Sequence, residues 1–164
     1  MERKRVVRYS ARILRPWLLE SYNLITALGT VFLSKKTGKI MLGLRSETST
    51  FSGTWSFWGG KLENTEYFGE TLDREIEEEL GKVKGVQNTF ALDDYESKDG
   101  KFKYASYVTI VQDEFIPTLN NEHVGYCWVE VGKWPKPLHN GARIILENKF
   151  NKKKIKQLVE LYAD

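Results

Sequence analysis

The sequence predicts an α/β domain in which a mixed β-sheet is clasped by helices. Three observations carry that prediction. Short β-branched and aromatic segments stand both before and after one acidic amphipathic helix. A second amphipathic helix closes the chain. Finally, no repeat and no shift in composition divides the 164 residues, a length that allows one domain with a true core and is short for two. Residues 1–164 are therefore read as a single domain.

The elements follow in order. Val6 to Leu14 predicts a first strand or an arm packed on the body, interrupted at Pro16 and Trp17. Leu24 to Leu33 has the length and β-branched content of a buried strand, and Lys35 to Gly38 turns the chain into a second strand, Lys39 to Leu44. Arg45 to Phe51 is a polar loop, and Trp55 to Trp58 is a short aromatic strand that runs into Gly59 and Gly60. Tyr67 to Leu80 predicts a helix. At 100° per residue Leu72, Ile76, Leu80 and Val83 share one apolar stripe, while Glu75, Glu78 and Glu79 form a neighbouring stripe spanning about 100°. Gly81 stops the helix. Gln87 to Leu92 and Tyr104 to Val111 predict strands, joined through a polar segment that turns at Asp99-Gly100. Tyr126 to Val131 is a further strand. Pro135 and Pro137 bound a loop through Gly141, and Asn151 to Tyr162 is an amphipathic helix with Ile155, Leu158, Val159 and Tyr162 on one face.

Composition removes several function classes. Five Trp, eight Tyr and eight Phe argue against disorder, and a single Cys, Cys127, excludes an internal disulfide framework and an all-Cys zinc site. Two His make a multi-histidine centre improbable. No apolar run reaches membrane-spanning length, and the basic start is not followed by a signal-peptide core, so a soluble cytoplasmic protein is expected.

Charge is where chemistry first shows. Between Glu66 and Glu79 lie seven carboxylates against one base, Arg74, in a chain whose formal charge is +3. Such a run repels itself, so structure alone gains little from it. A divalent cation with an anionic substrate behind it gives the density a use. Glu75, Glu78 and Glu79, at spacings that share one patch of helix, suit the hard ions Mg²⁺ or Mn²⁺. Gly60 lets its backbone carbonyl approach the same ion with no Cβ in the way. An ordinary solvated helix accounts for the glutamates equally well when the helix is taken by itself.

The surrounding residues separate the two accounts. Gly60, Glu66, Arg74, Glu75, Ile76, Glu78, Glu79 and Gly81 fall at the fixed positions of a 22-residue pattern, and the segment closely resembles the signature of the Nudix hydrolases. Lys82 departs from it where an apolar residue is expected, with Val83 next to it, and Thr65 stands where many members have Gly. The resemblance implies a Nudix-like αβα sandwich with a mixed β-sheet. It also implies Glu78 and Glu79 as central metal ligands, Glu75 as a further ligand or base, Gly60 as a carbonyl ligand, and Arg74 as the residue that orients the carboxylates. Independently, a guanidinium among carboxylates fixes their rotamers through parallel hydrogen bonds.

Members of the family commonly add a carboxylate from a loop, and Glu122 is the first choice, with Asp113 and Glu114 as competitors. The adjacent His123 is read mainly as exposed polar surface. Arg45, at a strand end, resembles the arginine that faces substrate phosphate. Among the aromatics, Trp58 and Tyr104 are candidates to meet a base, with Phe51 as another platform, although core packing is the more ordinary role for each. His139 is either a loop cap or a residue bordering the pocket.

The expected reaction is metal-dependent hydrolysis of a phosphoanhydride in a nucleoside diphosphate linked to another group, of the nucleotide-sugar or dinucleotide type, releasing a nucleoside monophosphate. A nucleoside triphosphate pyrophosphohydrolase and a noncatalytic nucleotide-binding Nudix module are the alternatives. An RNA 5′ end is a less favoured substrate, no membrane partner is expected, and the arm before Pro16 is compatible with a homodimer.

Overall fold

One strand organises the sheet. β1 (Ile25–Ser34) is rich in β-branched and apolar residues and buried along most of its length, as a strand flanked on both edges and both faces must be. In the computed structural model, which describes residues 24–63 and 65–164, β6 (Phe102–Val111) runs parallel to β1 from Ile25↔Phe102 to Ser34↔Val111. The expected N-terminal strand or arm lies outside the described residues. The other edge of β1 is shared: β4 (Trp58–Lys61) pairs antiparallel with Ala27 to Thr30, and β2 (Ile40–Arg45) with Phe32 and Leu33. β5 (Val86–Glu96) pairs outside β6, while β3 (Trp55–Ser56) and β7 (His123–Val129) both pair with β2. One parallel pair among antiparallel ones makes the sheet mixed, as expected.

Alternation along these strands sends side chains to two cores. Val31, Leu33, Ile40, Leu42, Val108 and Ile110 pack with Ala142, Ile145, Leu146 and Ile155 of the two C-terminal helices. Those helices are α2 (Asn140–Glu147) and α3 (Lys149–Tyr162), which follow the acidic helix α1 (Phe68–Leu80). On the opposite face Phe32, Met41, Trp58 and Val111 meet Leu80, and Leu28, Ala105 and Tyr107 meet Leu72, with Ile76 packed between. The stripe expected of α1 is thus the buried one, and truncating Leu72 to Ala there costs about 2–5 kcal/mol. Helix, sheet and helix make the αβα sandwich. Among the described residues no helix is long and apolar enough to cross a membrane.

Three boundaries differ from expectation. The aromatic strand breaks at Phe57 into β3 and β4, so Trp55 and Phe57 face one core and Trp58 the other. β5 runs on to Glu96 through polar residues, with a bulge between Ala91 and Asp93, because α3 docks on it: Asn151 Nδ2 donates to Asp93 Oδ2 at 2.5 Å, and Lys154 Nζ to the Leu92 carbonyl at 2.8 Å. α2 occupies residues beyond Gly141 that were given no element. His139 caps it, its Nδ1 accepting from the Gly141 N–H at 3.1 Å.

Candidate active site

The site grows from the register of β1 with β4 and the packing of α1 upon them. Burying Leu72, Ile76 and Leu80 under the sheet leaves the glutamate stripe facing the Gly59-Gly60 end of β4. The approach is close: a Cβ added at Gly60 would collide with the Glu75 carboxylate, and one at Gly59, whose φ is 153°, with the Leu28 carbonyl. Only glycine allows carboxylates to lie against that backbone. Gly59 N–H donates to Glu79 Oε2 at 2.9 Å.

Arg74 is the hub of the first half of the stripe. Its Nε donates to Glu66 Oε1 at 2.6 Å, its Nη2 to Glu66 Oε2 at 3.1 Å, and its Nη1 to Glu75 Oε1 at 2.8 Å. Nη2 also reaches the Lys61 carbonyl, and Nη1 approaches Glu78 at 3.4 Å. Glu66 takes a further bond from Thr71 Oγ1, and the guanidinium holds its pKa down to about 2. Arg74 itself is raised, chiefly by the Glu66 hydrogen bond. Glu75 is only 13% exposed; burial raises its pKa against the pull of Arg74.

Glu79 differs. It is 2% exposed, and its pKa is pushed well above the carboxylate range by burial, then by the neighbouring Glu122 and Glu75. No cation pairs with it among the described residues. Glu122 comes from the turn ahead of β7, and carboxylate oxygens of Glu79 and Glu122 lie within 4.8 Å of each other and of a His123 ring nitrogen. A buried carboxylate with no cation is the environment a divalent ion would relieve, and the oxygen-rich donor set fits Mg²⁺ or Mn²⁺. Among the described residues Glu79, Glu122 and His123 are the ones whose ligand atoms come within reach of one ion, with the Glu75 carboxylate beside them against Gly60; the Glu78 side chain is 55% exposed.

Beyond the glycine pair the sheet opens into a cavity of about 510 Å³. Gly59, Gly60, Arg45, Tyr104, Phe51 and His139 are among its walls, whereas none of the α1 carboxylates lines it. Gly60 is therefore a shared wall, touching Glu75 on one side and the cavity on the other. Arg45 Nε and Nη2 are tied to Thr50, at 2.5 and 3.1 Å, and no carboxylate among the described residues pairs with it. Tyr104 is packed against Gly29, and burial followed by the charge of Glu79 raises its phenol pKa. Phe51 is exposed and meets His139 edge-on at 4.8 Å.

The sequence-derived residues thus divide. Glu75, Glu79, Glu122, Arg74 and Gly60 converge, with Glu78 at the edge. Asp113 and Glu114 are directed instead to Lys36 and Lys39, at 3.5 and 3.8 Å. Arg45 and Tyr104 line the cavity. Trp58 does not: it is fully buried under α1, its ring tilted at 42° against that of His123 at 4.5 Å, and its expected contact with a base is withdrawn. His123 is not surface either. It is 3% exposed, neither ring nitrogen has a hydrogen-bond partner among the described residues, and burial, aided by Arg45, lowers its pKa to about 4. β7 starts at His123, three residues before the expected Tyr126, and a bulge at Val124 breaks the alternation, so His123 lies on the Trp58 face with Tyr126 and Trp128 and not on that of Cys127. Asp93, Asp94 and Tyr95 join the cavity wall for the parallel reason that β5 continues past Leu92.

The NUDIX domain model matches residues 25–149. The CTP pyrophosphohydrolase of Escherichia coli (strain K12) is 45% identical over 47 residues, 29% of this chain; the match spans 35% of that relative's length. A MutT Nudix hydrolase from Burkholderia pseudomallei superposes with a TM-score of 0.58 at 25% identity, covering 76% of this chain and 96% of its own. The Nudix hydrolase RenU from M. smegmatis gives 0.64 at 18% identity over 85% and 88% of the two chains, a likeness of fold alone. With the signature residues gathered around one glycine-walled carboxylate cluster and the family model covering most of the sequence, the chain belongs to the Nudix family.

Proposed function

We propose that the chain hydrolyses a phosphoanhydride of a nucleoside diphosphate linked to another moiety, with Mg²⁺ or Mn²⁺, and releases a nucleoside monophosphate. The observation that carries the reading is the buried Glu79 carboxylate, with no cationic partner among the described residues, one glycine away from a cavity rimmed by Arg45. A divalent ion bound there contributes Lewis acidity toward water and neutralises charge on the phosphates. Glu75, Glu78 and Glu79 would hold that ion together with the Gly60 carbonyl. Arg74 keeps Glu75 in one rotamer and is a positioning residue. A Glu122 carboxylate oxygen takes the proton from water as its oxygen bonds to phosphorus, and the bond from that phosphorus to the bridging oxygen breaks. Arg45, anchored through two nitrogens by Thr50, offers Nη1 to the phosphate oxygens. Tyr104 walls the cavity where the nucleoside would lie.

A second substrate class, nucleoside triphosphates cleaved to monophosphate and pyrophosphate, is favoured by the 47-residue likeness to a CTP pyrophosphohydrolase. A product-resolved screen of nucleotides with Mg²⁺ and Mn²⁺ separates the two, since only a triphosphate yields pyrophosphate. Glu79→Gln is the control: equal turnover by variant and wild type would reject the site.

A further inference from the structure

The Nudix signature accounts for the α1 carboxylates and leaves His123 without a task. The first strand residue of β7, it turns into the protein beside Trp58, and a Cβ at Gly43 would collide with both rings. Imidazole is costly to bury without a hydrogen bond, yet both nitrogens lack one among the described residues. One of those nitrogens lies within 4.8 Å of the carboxylate oxygens of Glu79 and Glu122. Two ligands at roughly 2.1 Å from one metal stand about 3 Å apart when adjacent and about 4 Å when opposite, so the three side chains need to close by at most about 2 Å to share an ion. The tilted contact with Trp58 packs the ring but provides neither nitrogen with a partner.

We infer that His123 is a metal ligand that, with Glu79 and Glu122, forms a mixed nitrogen–oxygen site selecting a divalent cation that accepts a nitrogen donor, such as Mn²⁺, over Mg²⁺. The reason is ligand chemistry. Mg²⁺ takes oxygen donors and parts reluctantly with water, whereas Mn²⁺, though also an oxygen-binding ion, gives up water for an imidazole nitrogen more readily, and the ions after it in the first row more readily still. Glu79 then belongs to two donor sets, the all-oxygen one with Glu75, Glu78 and Gly60 and this one, and Glu122 gives the ion one carboxylate oxygen while the other remains the acceptor of the water proton. The inference rests on the metal-centred reading above but concerns which ion is held.

The test uses the full chain without nucleotide. Mn²⁺ binding is followed by the electron paramagnetic resonance signal of the free ion, with Mg²⁺ as competitor. His123→Gln replaces the nitrogen by an amide oxygen and is expected to lower the preference for Mn²⁺ over Mg²⁺ about tenfold, with Mg²⁺ binding held within twofold. A measurement on the wild type makes the outcome independent of that variant's folding. With only two histidines in the chain, ¹⁵N-labelled imidazole spectra report on His123 with His139 as internal reference. Saturating Zn²⁺ should shift one His123 nitrogen and leave those of His139 in place. A His123 nitrogen that keeps its metal-free position overturns the inference. Nucleotide hydrolysis with an unshifted His123 sinks it alone; a shifted His123 in a protein that hydrolyses no nucleotide sinks the proposed function alone.

Discussion

The two ends of the glutamate stripe solve the same problem in opposite ways. Around Arg74, carboxylates are brought together and neutralised by the protein itself: Glu66 receives two guanidinium bonds and Glu75 one. One turn later Glu79 is buried more deeply and receives a single backbone N–H, from Gly59, with Glu122 as its charged neighbour. The first arrangement is complete as folded. The second becomes favourable only when a cation arrives, because an unpaired buried carboxylate costs free energy that a pair would offset. Stability and activity should therefore separate along one helix.

The largest effect expected is on turnover. Glu79→Gln should lower kcat/KM about a thousandfold, roughly 4 kcal/mol of transition-state stabilisation. Without metal, its thermal midpoint should be unchanged or raised, since the substitution removes a charge the fold does not neutralise. A clear drop in the metal-free midpoint would erase the contrast between the two ends. Arg74→Ala should do the reverse in emphasis. It strands the Glu66 and Glu75 carboxylates and should cost about 2–3 kcal/mol by denaturant unfolding, below the figure for a fully buried pair because the guanidinium is a quarter exposed. Activity should fall only about tenfold as Glu75 loses its fixed rotamer. Arg74→Lys should recover less than half of either loss, for an ammonium cannot make two parallel bonds to Glu66.

These contrasts bear on what was legible in the sequence. Residues that act through periodicity or fixed spacing could be read directly: the apolar stripe of α1 is the buried one, and Glu75, Glu79, Gly60 and Arg74 converge because one helix and one turn carry them all. What was missed depends on tertiary partners. β5 looked finished at Leu92 because aspartates disfavour strands, yet Asn151 and Lys154 from α3 hold that stretch in the sheet. His123 looked like surface because its neighbours, Asn120, Asn121 and Glu122, are polar; only the pairing of Arg45 with His123 in β2 and β7 turns the ring inward. Trp58 favours the core by residue type yet was also a candidate platform for a base, and the burial of β4 under α1 leaves it the core role. Trp58→Phe should accordingly cost about 1–2 kcal/mol of stability and leave KM within twofold; a several-fold rise in KM would return the indole to the substrate.

The smallest effect sharpens the comparison through pH. Glu66 has its pKa depressed from the ordinary 4.5 to about 2, with the Arg74 hydrogen bond as the leading cause. A carboxyl depressed in the folded state contributes stability that is whole above the unfolded value and is lost as pH falls through the folded one. The window is therefore pH 4.5 down to about 2, and at pH 4 the loss is below about 1 kcal/mol. Denaturant unfolding across that range should show stability declining with acid in the wild type and a flatter profile in Glu66→Gln. Glu79→Gln should keep the decline below pH 4.5, because Glu79 lies outside the Arg74 network and its pKa is displaced the other way. If Glu79→Gln flattened that limb as much as Glu66→Gln, the two ends of the stripe would be one electrostatic unit. Arg74 would then have to be credited with neutralising Glu79 as well.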